Sequence, residues 1–160
     1  MNCKLKKIIE LSGNKASIYS VIIENEQKTL FEIFLEENII SFKSEIENIL
    51  KRLEIIGKKT GARDHYFKLY EGKLADGVCA LYDLPNKKLR LYCIRFGTQL
   101  LILGGGGQKK VKKLQDDEKL KKESYLLRKL SEELTKRIKE KDIRFSNEGK
   151  DFEGDMDFDL

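Results

Sequence analysis

The residues of this chain best suited to chemistry are cations set among aromatic and glycine residues in its middle third. Lys87 and Lys88 fall in a predicted turn, and Arg90, Tyr92 and Arg95 lie on the strand after it. Side chains alternate along a strand, so Arg90 and Tyr92 share one face and Arg95 takes the other, unless a bulge near Gly97 re-aims it. A guanidinium grips phosphate through two parallel hydrogen bonds, and a tyrosine ring stacks on a base, so this set suits RNA. Exposed surface decoration of a sheet is the plainer alternative.

Just downstream stands GGGGQKKVKK, Gly104 to Lys113. Glycine amides after a strand can form an anion-binding concavity, and Lys109 and Lys110 would add charge. A nucleotide-phosphate loop needs a Gly-Lys pair followed by Ser or Thr, but here Gln108 intervenes and Val111 follows the lysines. The run reads instead as a strand end that lets another group approach closely. Lys58, Lys59, Arg63 and His65 form a further basic segment, in which His65 is either a general base or an exposed or capping residue. Cys3, Cys79 and Cys93 include no CxxC pair and read as buried thiols; with one histidine they make no metal site, and no cofactor is implied.

The elements that must position these groups follow from hydrophobic period and turn residues. Segments 3–11 and 15–24 flank Gly13-Asn14 and read as a hairpin. Leu30, Phe31, Ile33 and Phe34 suggest a short helix ending near Asn38. Ile46, Ile49, Leu50, Leu53 and Ile56 form a helical stripe, opened by Ser41 or Ser44 and stopped by Gly57, with Glu45, Glu47, Lys51 and Arg52 on a solvated face. Strands follow at 78–84, 89–96 and 99–103, the last ended by the glycines. Leu120, Leu127, Leu130, Leu134 and Ile138 mark a charged helix over about 118–141. The order predicts an α+β fold, an antiparallel sheet with two helices N-terminal to its main strands and a long C-terminal helix.

Charge is unevenly spread over the 160 residues, which hold 32 basic and 27 acidic side chains. Residues 24–57 carry eight acids and four bases, and residues 58–113 carry thirteen bases and four acids. Residues 151–160, DFEGDMDFDL, hold five acids that alternate with apolar residues or glycine and no base. The basic third favours a polyanionic partner, with a solubilising surface as the alternative. The tail is disordered, folds back on the basic surface or is captured by a partner. With no long apolar stretch and no secretory leader, a cytoplasmic protein with no membrane partner is expected.

Over roughly residues 16–113 the chain resembles the RelE/ParE toxin superfamily, most closely its phage-derived HigB-like branch. Leu81-Tyr82-Asp83-Leu84 resembles that family's Leu-Tyr-Glu-Leu-Arg strand. Arg90 with Tyr92 corresponds to its arginine-aromatic strand, Leu100 to Leu103 to its apolar strand, and Lys109-Lys110 to its lysine pair. The resemblance implies a RelE-like domain over 1–113; the helical segment over 114–145 and the acidic tail over 146–160, read from periodicity and charge, exceed the usual length of such toxins. It also implies the toxin component of a toxin-antitoxin system. Such a toxin binds mRNA and the ribosome, cuts RNA without a metal, and pairs with an antitoxin of helix-turn-helix type. Candidate catalytic residues are Arg90, Arg95 and Lys109, and candidate RNA contacts are Lys87, Lys88, Tyr92, Lys110, Lys112 and Lys113. The chain departs from the pattern at Pro85, where the family has arginine, and in lacking a His or Tyr after the last strand. Loss of such a proton-transfer group lowers a rate by about 10²–10⁴-fold. A non-catalytic module of the same fold, binding a protein through its long helix or tail, is the alternative.

Overall fold

In the computed structural model, which describes residues 1–68, 77–84, 87–109 and 118–160, the chain opens with the hairpin β1 (Asn2–Lys7) and β2 (Ser17–Ile23). Helices α1 (Leu30–Asn38) and α2 (Lys43–Ile55) come next. Strands β3 (Phe67–Lys68), β4 (Val78–Leu81), β5 (Leu89–Phe96) and β6 (Leu100–Gln108) precede the long helix α3 (Glu118–Lys139). Three short strands end the chain: β7 (Ile143–Phe145), β8 (Phe152–Gly154) and β9 (Asp157–Asp159). α1 and α2 thus follow the first hairpin, which corrects the expectation of two helices ahead of the sheet, since β1 and β2 belong to the same sheet as β3–β6.

Seven strands form one sheet in the order β3-β4-β5-β6-β2-β1-β9, while β7 and β8 form a separate ribbon. The sheet is mostly antiparallel, as expected. Its centre is not: β2 lies parallel to β6, with Ser17 opposite Leu100 and Ser20 opposite Leu103. A hairpin and a later meander join side by side, and the helical crossover between them permits the parallel pairing.

Both faces are covered. Phe31, Phe34, Ile46, Ile49 and Leu53 of α1 and α2 pack on Leu89, Leu91, Cys93, Leu101 and Leu103. On the other face, Leu120, Leu127, Leu130 and Leu134 of α3 pack on Ala80, Tyr92, Ile94, Leu100 and Ile102. Each buried leucine of α3 contributes about 1.5–3 kcal/mol by removal of apolar surface from water. α1 starts at a capping box: Thr29 Oγ1 accepts from the Glu32 N–H at 3.1 Å, and Glu32 accepts from the Thr29 N–H at 3.2 Å. α2 does not stop at Gly57. The chain continues through a wide turn, Ile56–Thr60, and leaves it at Gly61, whose φ of +82° suits glycine. Gly57 is needed because the Leu11 carbonyl oxygen lies 1.9 Å from where its Cβ would stand.

The four glycines do not end β6 but lie inside it. The register shifts by one residue between Leu91 and Cys93, placing an extra β6 residue opposite Tyr92, a bulge that the glycine run accommodates. The groups that approach closely are α3, at Gly104, Gly105 and Gly107, and the β5 backbone, at Gly106. A Cβ on Gly104 would meet Leu127 at 2.6 Å, and one on Gly106 would meet the Arg90 carbonyl oxygen at 1.9 Å.

The acidic tail is also ordered, which corrects the expectation of disorder over 146–160. Phe152 and Phe158 are buried, and β9 extends the sheet beyond β1. Its contacts lie far from the basic strands. Lys7 holds Asp151 at 2.8 Å, the Met1 ammonium lies 3.4 Å from Asp159, and Arg137 lies 3.7 Å from Asp155. Folding back onto the Arg90–Lys109 region is therefore excluded in this structure, since β9 and β4–β5 lie towards opposite edges of the sheet.

Candidate nucleic-acid interface

Asp83, just past the end of β4 and only 5% exposed, gathers the cations of this end of the sheet. Lys68 Nζ lies 2.7 Å from Oδ1, Arg90 Nη2 lies 3.7 Å from Oδ2, and the Lys109 ammonium rests directly on Oδ2. The three come from β3, from β5 and from the residue after β6. Burial alone would raise the Asp83 pKa; hydrogen bonds from Lys109 and Lys68 and the charge of Arg90 outweigh it and hold the carboxyl below its ordinary value.

Helix α2 closes the arrangement from one side. The Arg52 guanidinium donates to the Tyr82 carbonyl, and Glu45 Oε1 accepts from the Lys88 N–H at 2.7 Å. Burial lowers the Arg52 pKa, and the nearby Asp83 charge opposes that fall. Glu45 and Arg52 are seven residues apart, hence on one side of the helix. They are half-buried and fix the ends of the β4–β5 connection instead of facing solvent, whereas Glu47 and Lys51 are exposed as expected.

Among the described residues, four cations (Lys68, Arg90, Lys109 and Arg52) stand against two carboxylates, Asp83 and Glu45. Lys87 and Lys88 are exposed beside them. A cleft lined by Glu45, Arg52, Asp83 and Lys87 holds about 20 Å³, room for one water. A small enclosed ligand does not fit there. An anion would have to lie across the surface, as a polymer backbone does.

Arg90 and Lys109 are thus brought together, and Arg95 is not. It stands five residues along β5 from Arg90, about 16 Å at strand rise. There its Nε donates to the Ala62 carbonyl at 2.7 Å, its Nη2 lies 2.6 Å from Asp64, and its guanidinium sits over the Phe67 ring. Strand alternation holds through β5 and no bulge re-aims it. Arg95 anchors the segment before β3 and does not join the Asp83 cluster.

The expectation for Tyr92 is corrected. It lies on the Arg90 parity of β5 as expected, but α3 covers that face and Tyr92 is fully buried. It offers no ring to a base. Lys110, Lys112 and Lys113 lie outside the described residues. His65 is exposed, its ring 4.2 Å from that of Tyr66. Cys79 and Cys93 are buried free thiols facing one another across β4 and β5, with sulfurs 3.6 Å apart, and burial pushes the Cys93 thiol up. Among the described residues no helix is long and apolar enough to cross a membrane.

Sequence reading alone did not bring Asp83, Lys68, Arg52 and Glu45 to the site: Asp83 stood only in a strand motif, and Glu45 and Arg52 on a solvated helix face. A signal existed for Asp83, one of only four acids within the basic segment 58–113 and set in the otherwise apolar run LYDL. For the others, only three-dimensional packing brings them to the site. Compared with family models, curated proteins and solved structures, the chain finds no match.

Proposed function

We propose that this chain is an RNA-binding protein of the RelE/HigB-like toxin type, which holds the RNA backbone on the cations gathered by Asp83. The observation that carries the reading is the convergence of Lys68, Arg90 and Lys109 on one buried carboxylate, where basic side chains outnumber acidic ones among the described residues. A carboxylate at the centre presets the cations without cancelling them. A phosphate arriving from solvent then takes up donors already in position, so little side-chain entropy is lost on binding.

Cleavage of such a backbone would proceed by attack of a ribose 2′-OH on the adjacent phosphorus, expelling the 5′-oxygen and leaving a cyclic phosphate. Arg90 and Lys109 would stabilise charge on the phosphoryl oxygens. Asp83, held ionised and below its usual pKa, is a weak base for the 2′-OH proton. The site therefore supports gripping RNA more strongly than cutting it. In this reading the partners are mRNA on the ribosome and a neutralising antitoxin of helix-turn-helix type, in the cytoplasm.

The test combines filter binding of RNA across a salt series with induced expression and mapping of mRNA 5′ ends. Arg90→Glu and Lys109→Glu are expected to weaken binding and flatten its salt dependence, each removing about one phosphate contact from the slope. Arg95→Gln is expected to leave that slope unchanged. RNA binding that is indifferent to Arg90 and Lys109 defeats the reading. Binding without growth arrest or new 5′ ends defeats only its nuclease part.

A further inference from the structure

We infer that Tyr82 is a base-stacking platform, so that the RNA this site takes is single-stranded; the inference rests on the phosphate-binding reading above. Tyr82 directly precedes Asp83 and is 45% exposed, while its strand neighbours Cys79, Ala80 and Leu81 are buried. Its ring is tied to the cation cluster by Lys68, whose ammonium lies 5.8 Å from the ring centroid and 2.7 Å from Asp83. One cation thus borders both the place for a phosphate and the place for a base.

The main chain that carries the ring is also held. The Tyr82 N–H donates to the Tyr66 carbonyl at 2.7 Å, and its own carbonyl accepts from Arg52. With both backbone groups engaged, the main chain at Tyr82 needs no reordering when a base arrives. In a duplex the bases are stacked on one another, and their faces are closed to a side chain. A single strand can splay a base onto tyrosine while its phosphate stays on Arg90 and Lys109. The small cleft beside Asp83 leaves no pocket for a flipped base, so the exposed ring is where one can rest.

The chain contains no tryptophan, so Tyr82→Trp supplies a single emission reporter on a flat ring. The probes are a short mixed-sequence RNA strand, the same strand with abasic positions, and its blunt duplex. The intact strand is expected to quench the emission, and the abasic strand and the duplex to leave it unchanged. Tyr82→Leu is expected to bind the intact strand about 5- to 150-fold more weakly, the range set by one base–aromatic stack, and the abasic strand as tightly as wild type does. Salt-dependent binding with unchanged emission and an unaffected Tyr82→Leu overturns the stacking and leaves the cation site standing. Failure of every RNA probe to bind overturns both. Quenching by duplex as strong as by single strand overturns the single-strand assignment.

Discussion

At the scale of single residues, Asp83 matters most, because three cations depend on it. Asp83→Asn takes from Lys68, Arg90 and Lys109 the carboxylate they share. It is expected to lower stability by about 1.5–3 kcal/mol, the size of one charge-assisted hydrogen bond, read as a shifted urea midpoint. The carboxyl is held below its unfolded pKa, so its stabilisation is present above about pH 4 and is lost as pH falls through the folded value. Urea titrations from pH 5 downward should therefore show a steeper loss in wild type than in Asp83→Asn; equal slopes would mean that Asp83 is not the linked group. Of this cluster, Arg90 and Lys109 were legible as chain neighbours of turns, because charge in a short segment shows in one dimension. Lys68 and Arg52 were not, since an isolated lysine and a helix arginine carry no mark until β3 and α2 are folded against β4.

At the scale of elements, the glycine run shows how a correct local reading can lead to the wrong neighbour. Close approach was legible from four glycines in a row; that a helix of the same chain makes the approach was not. α3 lies over Gly104, and this coverage is what buries Tyr92 on β5 beneath the same helix. The apolar run at 100–103 is covered on both faces, and the strand beside it shares that cover. Gly104→Ala places a methyl group against Leu127 and is expected to cost about 1–3 kcal/mol by overpacking. Leu127→Ala in the same chain should return part of that cost, a coupling that a double-mutant cycle on thermal unfolding would register. Additive effects would show that Gly104 is constrained by backbone conformation and not by the helix. Gly106→Ala offers no such rescue, because a backbone carbonyl stands in the way.

At the scale of the whole molecule, the acidic end and the basic cluster are kept apart by the sheet itself. The alternation of acids with Phe152, Met156, Phe158 and Leu160 was legible, but not that it folds as two strands, β8 and β9, in two sheets. Its destination was not, because the open edge of β1 appears only once the sheet is assembled. Tyr19 fixes the start of this tail: its hydroxyl donates to Asp151 at 3.0 Å and accepts from the Phe152 N–H at 3.2 Å, and burial pushes its pKa up to about 12. Arg137 of α3 fixes the end, donating to the Asp157 carbonyl and lying over the Phe158 ring at 4.4 Å. Arg137→Gln should therefore loosen β9 alone. Amide exchange at Leu5, whose N–H donates to the Met156 carbonyl, is expected to speed up, because local opening there no longer breaks the clamp. RNA affinity of the same variant is expected to stay at the wild-type value, since β9 and the Asp83 cluster lie at opposite ends of the strand order. An affinity that rose on Arg137→Gln would mean that the tail leaves β1 and competes for the cations. The order β3-β4-β5-β6-β2-β1-β9 would then be only one of two arrangements of the chain.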